Sequence, residues 1–175
     1  MDYVQVLKDL ISIDTSISPE LDPSANYEKT IDYLEPTFRE LGFQTQRVLI
    51  PPEHADGKGG RLNLLAHRRN QGKPRLLLYT HIDVVPAQGW DAFTPRVEDG
   101  KIYGRGAADM KGGIAALLLG LEMAKEKPWG FDTSVMVTTD EEITQASQIR
   151  YLRQFLEPTA GAYFFSLDTS FGYVQ

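Results

Sequence analysis

The chain opens with two stretches in which apolar residues recur at helical spacing. The apolar residues of the first stretch are Val4, Leu7, Leu10 and Ile11. The second stretch predicts a helix over residues 27–41, with Gly42 as the residue that ends it. Pro36 lies inside this second helix and is expected to bend it or to split it in two.

Short runs rich in β-branched and other apolar residues follow from residue 44 onward. They predict strands at 44–50, 62–67, 75–80, 134–139 and 162–167. Helical patterns over 110–127 and 143–157 separate the last three strands, with Pro128 and Pro158 as helix stops. A β-hairpin is predicted over 96–103. Because strands and helices alternate, the predicted fold class is α/β: a three-layer sandwich with a mixed, mainly parallel central sheet.

Composition excludes several classes of partner. The 175 residues include 18 Lys and Arg against 24 Asp and Glu, for a net charge of -6. Nucleic-acid binding depends on clusters of Lys and Arg, so we expect no nucleic-acid partner. The most apolar segment, 112–124, is shorter than the ~20 residues that cross a bilayer, and no secretory signal is recognisable at the start. We therefore expect a cytoplasmic protein without a membrane partner.

Acidic residues and one histidine follow the predicted central strands at the points where those strands end. They are His81 and Asp83 after the strand at 75–80, Glu141 and Glu142 after the strand at 134–139, and Asp168 after the last strand. Asp109 ends a glycine-rich loop directly before the longest predicted helix. Ligands bind at the carboxyl ends of strands in open α/β sheets, so we expect these side chains to meet at one rim.

Each of these features also has an ordinary structural explanation when it is taken alone. Asp109 is explained as a helix cap, and Glu141 and Glu142 as surface acids at the start of a helix. Together, however, four carboxylates in one crevice would repel one another, and a bound cation removes that cost. The chain has no cysteine. Ligands limited to imidazole and carboxylate suit zinc, with cobalt or manganese as possible substitutes.

Three segments carry a resemblance to a known family. They read Thr80-His-Ile-Asp-Val-Val-Pro86, Gly104-Arg-Gly-Ala-Ala-Asp-Met-Lys-Gly-Gly113 and Thr139-Asp-Glu-Glu142. In this order they resemble the signatures of the co-catalytic zinc peptidases and deacylases. That family includes acetylornithine deacetylase, succinyl-diaminopimelate desuccinylase, aminoacylase, glutamate carboxypeptidase and carnosinase. The resemblance extends over essentially the whole chain.

The resemblance implies a pair of zinc ions and a role for each candidate ligand. His81, Asp109 and Asp168 would bind the first zinc. Asp109 would bridge to the second zinc, which Glu142 would also bind. A cis peptide between Asp109 and Met110 is implied as well. Asp168 stands where many deacylases of the family have glutamate, which favours peptide substrates mildly.

The implied activity is a metal-dependent hydrolase that cleaves amide bonds of small peptides or N-acyl amino acids. A zinc-activated water would attack the amide, Glu141 would act as the general base, and Asp83 would orient His81. The motifs leave open whether the enzyme is a dipeptidase or a deacylase that removes acetyl or succinyl groups. The alternative from another class is an inactive fragment or a non-catalytic metal-binding module.

The resemblance also sets an expectation for domain organisation. Residues 1–175 would form the N-terminal portion of the metal-binding catalytic domain. A lid or dimerisation domain and a C-terminal remainder, which supplies a histidine to the second zinc, would be absent from it. The full-length protein would be a homodimer. We therefore expect this chain to bind one metal better than two and to be weakly active or inactive; His54 and His67 are interpreted as structural or solvent-facing.

Overall fold

The computed structural model of the protein describes residues 1–18, 20–55, 60–143, 146–156 and 161–168, without the side chains of residues 146 and 147. The helices are α1 (Tyr3–Ile11), α2 (Ser24–Glu40), α3 (Lys111–Ala124) and α4 (Ala146–Leu152). The strands are β1 (Gln44–Ile50), β2 (Arg61–Arg68), β3 (Arg75–His81), β4 (Arg96–Glu98), β5 (Lys101–Tyr103), β6 (Asp132–Thr138) and β7 (Tyr163–Ser166). Residues 144, 145, 157 and 158, which belong to the last predicted helix and its stop, lie outside the described residues.

Five strands form one mixed sheet in the order β1-β2-β6-β3-β7. The strands β6, β3 and β7 are parallel to one another, with Leu78 opposite both Val135 and Phe165. The strands β1 and β2 are antiparallel to each other, and β2 is antiparallel to β6. The predicted α/β fold with a mixed sheet and parallel central strands is therefore confirmed. Strands β4 and β5 form the predicted hairpin separately, and its turn residues Asp99 and Gly100 have positive φ values of 49° and 72°.

Alternate residues of the central strands face opposite layers. Leu64, Leu78 and Val135 belong to one apolar cluster together with buried residues of α1, α2 and α3. Leu65 and Met136, their neighbours in sequence, belong to a second cluster on the other face, together with Leu152 of α4. Because side chains point alternately to the two faces of a strand, this pattern places helices on both sides of the sheet.

The helices begin and continue for local reasons. The carboxylate of Asp2 accepts hydrogen bonds from the backbone N–H groups of Val4 and Gln5 at 3.0 and 3.2 Å, which caps the start of α1. The helix α2 runs through Pro36 as one element, so the predicted split does not occur. Among the described residues, none of the helices has the length and apolar character needed to span a membrane.

Candidate metal centre

The candidate site lies at the edge of the sheet where the parallel strands β3, β6 and β7 end. His81 is the last residue of β3, and Glu141 and Glu142 lie in a turn shortly after β6. Asp168 follows β7, and Asp109 lies directly before α3. The structure therefore brings the predicted ligands to one rim, as the topology of a parallel sheet requires.

Close packing at the start of α3 brings Asp109 toward Asp168. A Cβ atom on Gly113 would lie 2.8 Å from the carbonyl oxygen of Leu167, so only glycine permits this approach. The peptide bond between Asp109 and Met110 is cis, as the resemblance implied. The Sδ atom of Met110 accepts a hydrogen bond from the backbone N–H of His81 at 3.1 Å, which ties this loop to the end of β3.

The imidazole of His81 is fully buried and is held from one side by Asp83. Its Nδ1 atom lies 3.1 Å from the carbonyl oxygen of Asp83 and 3.3 Å from Oδ1 of the same residue. With the proton assigned to Nδ1, His81 donates to Asp83, and Nε2 is left to act as a ligand. Nε2 lies 3.2 Å from Oδ1 of Asp109 and 3.8 Å from Oε2 of Glu141.

Two groups of three ligand atoms share His81. One group contains His81, Asp109 and Glu142, and the other contains His81, Glu141 and Asp168. Within each group all the ligand atoms lie within 4.8 Å of one another. The grouping of Glu141 with Asp168 differs from the set His81, Asp109 and Asp168 that the resemblance implies for the first zinc, and that set stays a prediction.

The electrostatics of the site are those of crowded carboxylates. Burial, together with the charge of Asp109, raises the pKa of Glu142 to about 7. Burial and the nearby Asp168 raise the pKa values of Asp109 and Glu141, although His81 opposes both shifts. Burial alone would lower the pKa of His81, but Asp83, Glu141 and Asp109 outweigh it and raise that pKa to about 9. Without a cation, this arrangement of acids is costly to ionise.

A divalent cation fits this set of donors. One imidazole and four carboxylates converge, and burial together with neighbouring carboxylates raises the pKa values of Asp109, Glu141 and Glu142. A cation beside these groups would stabilise their ionised forms. Mixed nitrogen and oxygen donors without sulfur match zinc, cobalt or manganese better than copper(I) or an iron–sulfur cluster.

The sequence motifs did not single out three buried charged residues that adjoin the site. Lys111 donates from Nζ to the carbonyl oxygen of Ile13 at 2.8 Å, and burial lowers its pKa to about 7. Arg61 and Asp140 form an ion pair of 2.6 Å beside Glu141. A signal for Arg61 was available: Arg61 and Asn63 are polar residues at alternate positions directly before the apolar run of β2, and such residues share one face.

The two remaining histidines lie elsewhere in the structure. Nδ1 of His67 is 2.9 Å from the hydroxyl of Ser134, on the neighbouring strand. The ring of His54 packs 5.0 Å from the ring of Tyr151, measured between centroids. Both contacts agree with the structural interpretation of these two residues.

Comparison with known proteins agrees with the geometry. The chain is 34% identical over 148 residues to a succinyl-diaminopimelate desuccinylase of Rickettsia canadensis, covering 80% of this chain and 36% of the relative. It is 36% identical to the desuccinylase of Delftia acidovorans over 148 residues, covering 79% of this chain and again 36% of the relative. The chain thus spans about a third of the length of these relatives.

A solved structure shows the same fold. Human carnosine dipeptidase 1 superposes with a TM-score of 0.84 at 23% identity, covering 96% of this chain and 38% of that one. Residues 77–172, more than half of the chain, match the sequence profile of peptidase family M20/M25/M40. This match begins within β3 and includes every candidate ligand described above. The chain belongs to peptidase family M20/M25/M40.

Proposed function

We propose that this chain carries the metal-binding part of a hydrolase that cleaves amide bonds of small peptides or N-acyl amino acids. The observation that carries the proposal is the meeting of His81, Asp109 and Glu142, and of His81, Glu141 and Asp168, within 4.8 Å at one rim. Residues distant in sequence meet there, and the candidate general base, Glu141, is one of them. Membership of a peptidase family supports the same reaction class.

Each side chain has a proposed task. His81, Asp109, Glu142 and Asp168 hold the metal, for which we propose zinc. When bound, the metal polarises the amide carbonyl and lowers the pKa of the attacking water. Glu141 takes a proton from that water on its carboxylate and delivers it to the leaving nitrogen. Its position supports this task, because Oε2 lies 3.8 Å from the imidazole and the side chain is 27% exposed, which leaves access for substrate.

Asp83 is the proposed positioning residue for the imidazole. It is fully buried, so it does not reach substrate, and it contacts Nδ1 of His81 with both its carbonyl and its carboxylate. This contact fixes the ring orientation and directs Nε2 toward the metal. We further propose that residues 1–175 hold one ion more tightly than a second, because the resemblance assigns three ligands of this chain to the first zinc (His81, Asp109 and Asp168) and two to the second (Asp109 and Glu142).

Two substrate classes follow from different observations. The names of the two relatives described above, both succinyl-diaminopimelate desuccinylases, favour N-succinyl amino acids. Asp168 favours dipeptides, because by resemblance it matches a position at which many deacylases of the family have glutamate. A panel of N-acetyl amino acids, N-succinyl amino acids and dipeptides separates the two classes, because the preferred class should be turned over faster than the others.

The test combines metal content with a substitution of the base. We expect purified protein reconstituted with zinc to retain one ion per chain after desalting, measured by elemental analysis. Glu141→Gln keeps the shape of the side chain and removes the base. It is expected to leave metal content unchanged and to lower any amide hydrolysis by about 10²–10⁴-fold. A protein that holds no metal contradicts the proposal, and so does a variant that keeps the full rate of a parent with measurable activity.

A further inference from the structure

Strand β2 extends beyond the end of its neighbour β6. The ladder between them starts at the pair Leu64 and Val137, so Arg61 and Asn63 lie past the last paired residues. Both side chains are fully buried and, being two residues apart, point to the same face. They therefore reach the segment that leads from β6 to the two candidate glutamates.

The guanidinium of Arg61 binds the residue directly before those glutamates. Its Nε donates to Oδ2 of Asp140 at 2.6 Å, and Nη1 donates to Asp22 at 2.9 Å and to the hydroxyl of Ser24 at 3.1 Å. The hydroxyl of Tyr27, on α2, donates to Oδ1 of Asp140 at 3.2 Å. Both carboxylate oxygens of Asp140 are thus bonded, and its side chain is buried.

Asn63 holds the preceding residue in the same manner. Its Oδ1 accepts a hydrogen bond from the backbone N–H of Thr139 at 3.0 Å. Its Nδ2 donates to Oε1 of Gln148, on α4, at 3.3 Å, and the hydroxyl of Thr139 donates to that same oxygen at 3.2 Å. Two consecutive residues, Thr139 and Asp140, are therefore fixed by side chains of β2.

The backbone of Asp140 needs this support. Its φ is 62°, in the left-handed region that costs a residue other than glycine about 1 kcal/mol or more. The reversal turns the chain so that Glu142 then donates its backbone N–H to Oδ2 of Asp83 at 2.9 Å. The segment with the glutamates is thus attached at Asp140 on one side and at Asp83 on the other.

We propose that Arg61, acting through Asp140, positions Glu141 and Glu142 at the metal centre. This inference rests on the proposed function, because it names the residues that fix two of the site's own side chains. A buried ion pair is a poor source of stability, since apolar residues of similar volume are often as stable or more so. The pair is instead placed where it selects one backbone conformation, directly before the two glutamates.

The experiment uses the whole 175-residue chain, labelled with ¹⁵N. Asp140→Asn keeps the side-chain shape and a residue type that tolerates positive φ, but removes the charge that Arg61 binds. Tyr27→Phe removes only the hydroxyl bond to Asp140. Tyr33→Phe is the matched control, because Tyr33 is also on α2 and donates to a carboxylate, that of Asp9 at 3.0 Å, away from the site.

Two measurements are made on each variant. Amide hydrogen exchange of Glu142 in the metal-free protein reports the bond to Asp83 directly. Titration with Co²⁺, followed by its visible absorption, reports the ligands that the metal meets. We expect Asp140→Asn to speed exchange at Glu142 and to weaken Co²⁺ binding, each by about tenfold or more. Tyr27→Phe should change both in the same direction and by less, and Tyr33→Phe should change neither.

The outcomes separate the two proposals. Unchanged Glu142 exchange and Co²⁺ affinity in Tyr27→Phe and in folded Asp140→Asn overturn the positioning role, even when the parent binds metal. If Asp140→Asn does not fold, Arg61→Lys takes its place, because it keeps the positive charge and loses the guanidinium that joins Asp140 to Asp22; unchanged exchange and affinity in that variant overturn the positioning role. A parent chain that binds no Co²⁺ overturns the proposed function and, with it, the role of Arg61 in positioning ligands. Changes in Tyr33→Phe as large as those in the other two variants would also overturn the positioning role, since they would reflect a general loss of stability.

Discussion

Oδ2 of Asp83 accepts a hydrogen bond from the backbone N–H of Glu142 at 2.9 Å. Oδ1 of the same carboxylate lies 3.3 Å from Nδ1 of His81. One buried side chain therefore fixes an imidazole at the end of β3 and a glutamate in the turn after β6. Loss of this carboxylate should disturb both sides of the site together.

Asp83→Ala is accordingly expected to weaken zinc binding by about 10–100-fold, the range typical of residues that orient metal ligands. The free energy of unfolding should also fall by about 1–3 kcal/mol, because the N–H of Glu142 loses its acceptor. Competition with a chromophoric chelator measures the affinity. Asp9→Asn, which alters a carboxylate on α1 bonded to Tyr33, is the control and should leave affinity unchanged.

His81 belongs to both groups of ligand atoms, so its loss should affect every ion that the chain binds. His81→Ala is expected to lower zinc affinity by about 100-fold or more and to leave no ion after desalting. His67→Ala is the matched control, since His67 lies on β2 and contacts Ser134 instead. Equal metal content in the two variants, measured by elemental analysis, would contradict the ligand assignment.

Sequence patterns located most strands to within two residues, because apolar runs such as those of β3 and β6 are short and bounded by polar residues. They also predicted that the candidate ligands meet at one rim, since parallel strands end there. They could not order the strands or show that β2 extends past β6, because both depend on tertiary pairing. The predicted strand therefore began at residue 62 and left out Arg61. In the structure Arg61 is the first residue of β2 and is fully buried. Pro36 was expected to bend α2 or to split it, and α2 is one helix, with Leu34 and Phe38 on either side of Pro36 packed in the core.

The raised carboxylate pKa values predict an unusual pH dependence for the metal-free protein. The pKa of Glu142 is about 7 in the fold, against 4.5 for a free glutamate side chain. Between these values the folded chain binds more protons than the unfolded chain, so stability falls as pH rises. The raised pKa of His81, about 9, acts in the same sense at higher pH. The lowered pKa of Lys111, from 10.5 to about 7, opposes it above neutrality.

The clear window is therefore about pH 5 to 7, in which the Tm measured with a chelator present should decrease as pH rises. Zinc binds the ionised carboxylates, so an excess of zinc should reverse this trend. Glu142→Gln should flatten the slope of the metal-free protein. Scanning calorimetry at several pH values checks all three outcomes, and a metal-free Tm that increases across the window would count against them.

Two glycines should respond to alanine in opposite directions. Gly106 has φ of 81°, and a Cβ there would lie 2.9 Å from Val84 and 3.0 Å from Lys111. Gly106→Ala should therefore destabilise the protein by about 1–3 kcal/mol. At Gly120, inside α3, no atom of the described residues beyond its chain neighbours and the backbone of its own helix lies within 4 Å of the added Cβ. Gly120→Ala should stabilise by about 0.5–1 kcal/mol, the usual gain in a helix. Urea unfolding of both variants tests the pair.

The distribution of the ligands along the chain has a kinetic consequence. The candidate ligands span residues 81 to 168 and meet only when β3, β6, β7 and the start of α3 have docked. Such long-range parallel pairing is slow to form during folding. The metal can thus be captured only late, and it would raise the yield of refolding by mass action while leaving the earliest steps unaccelerated. The time at which the ion binds would therefore report the last stage of folding.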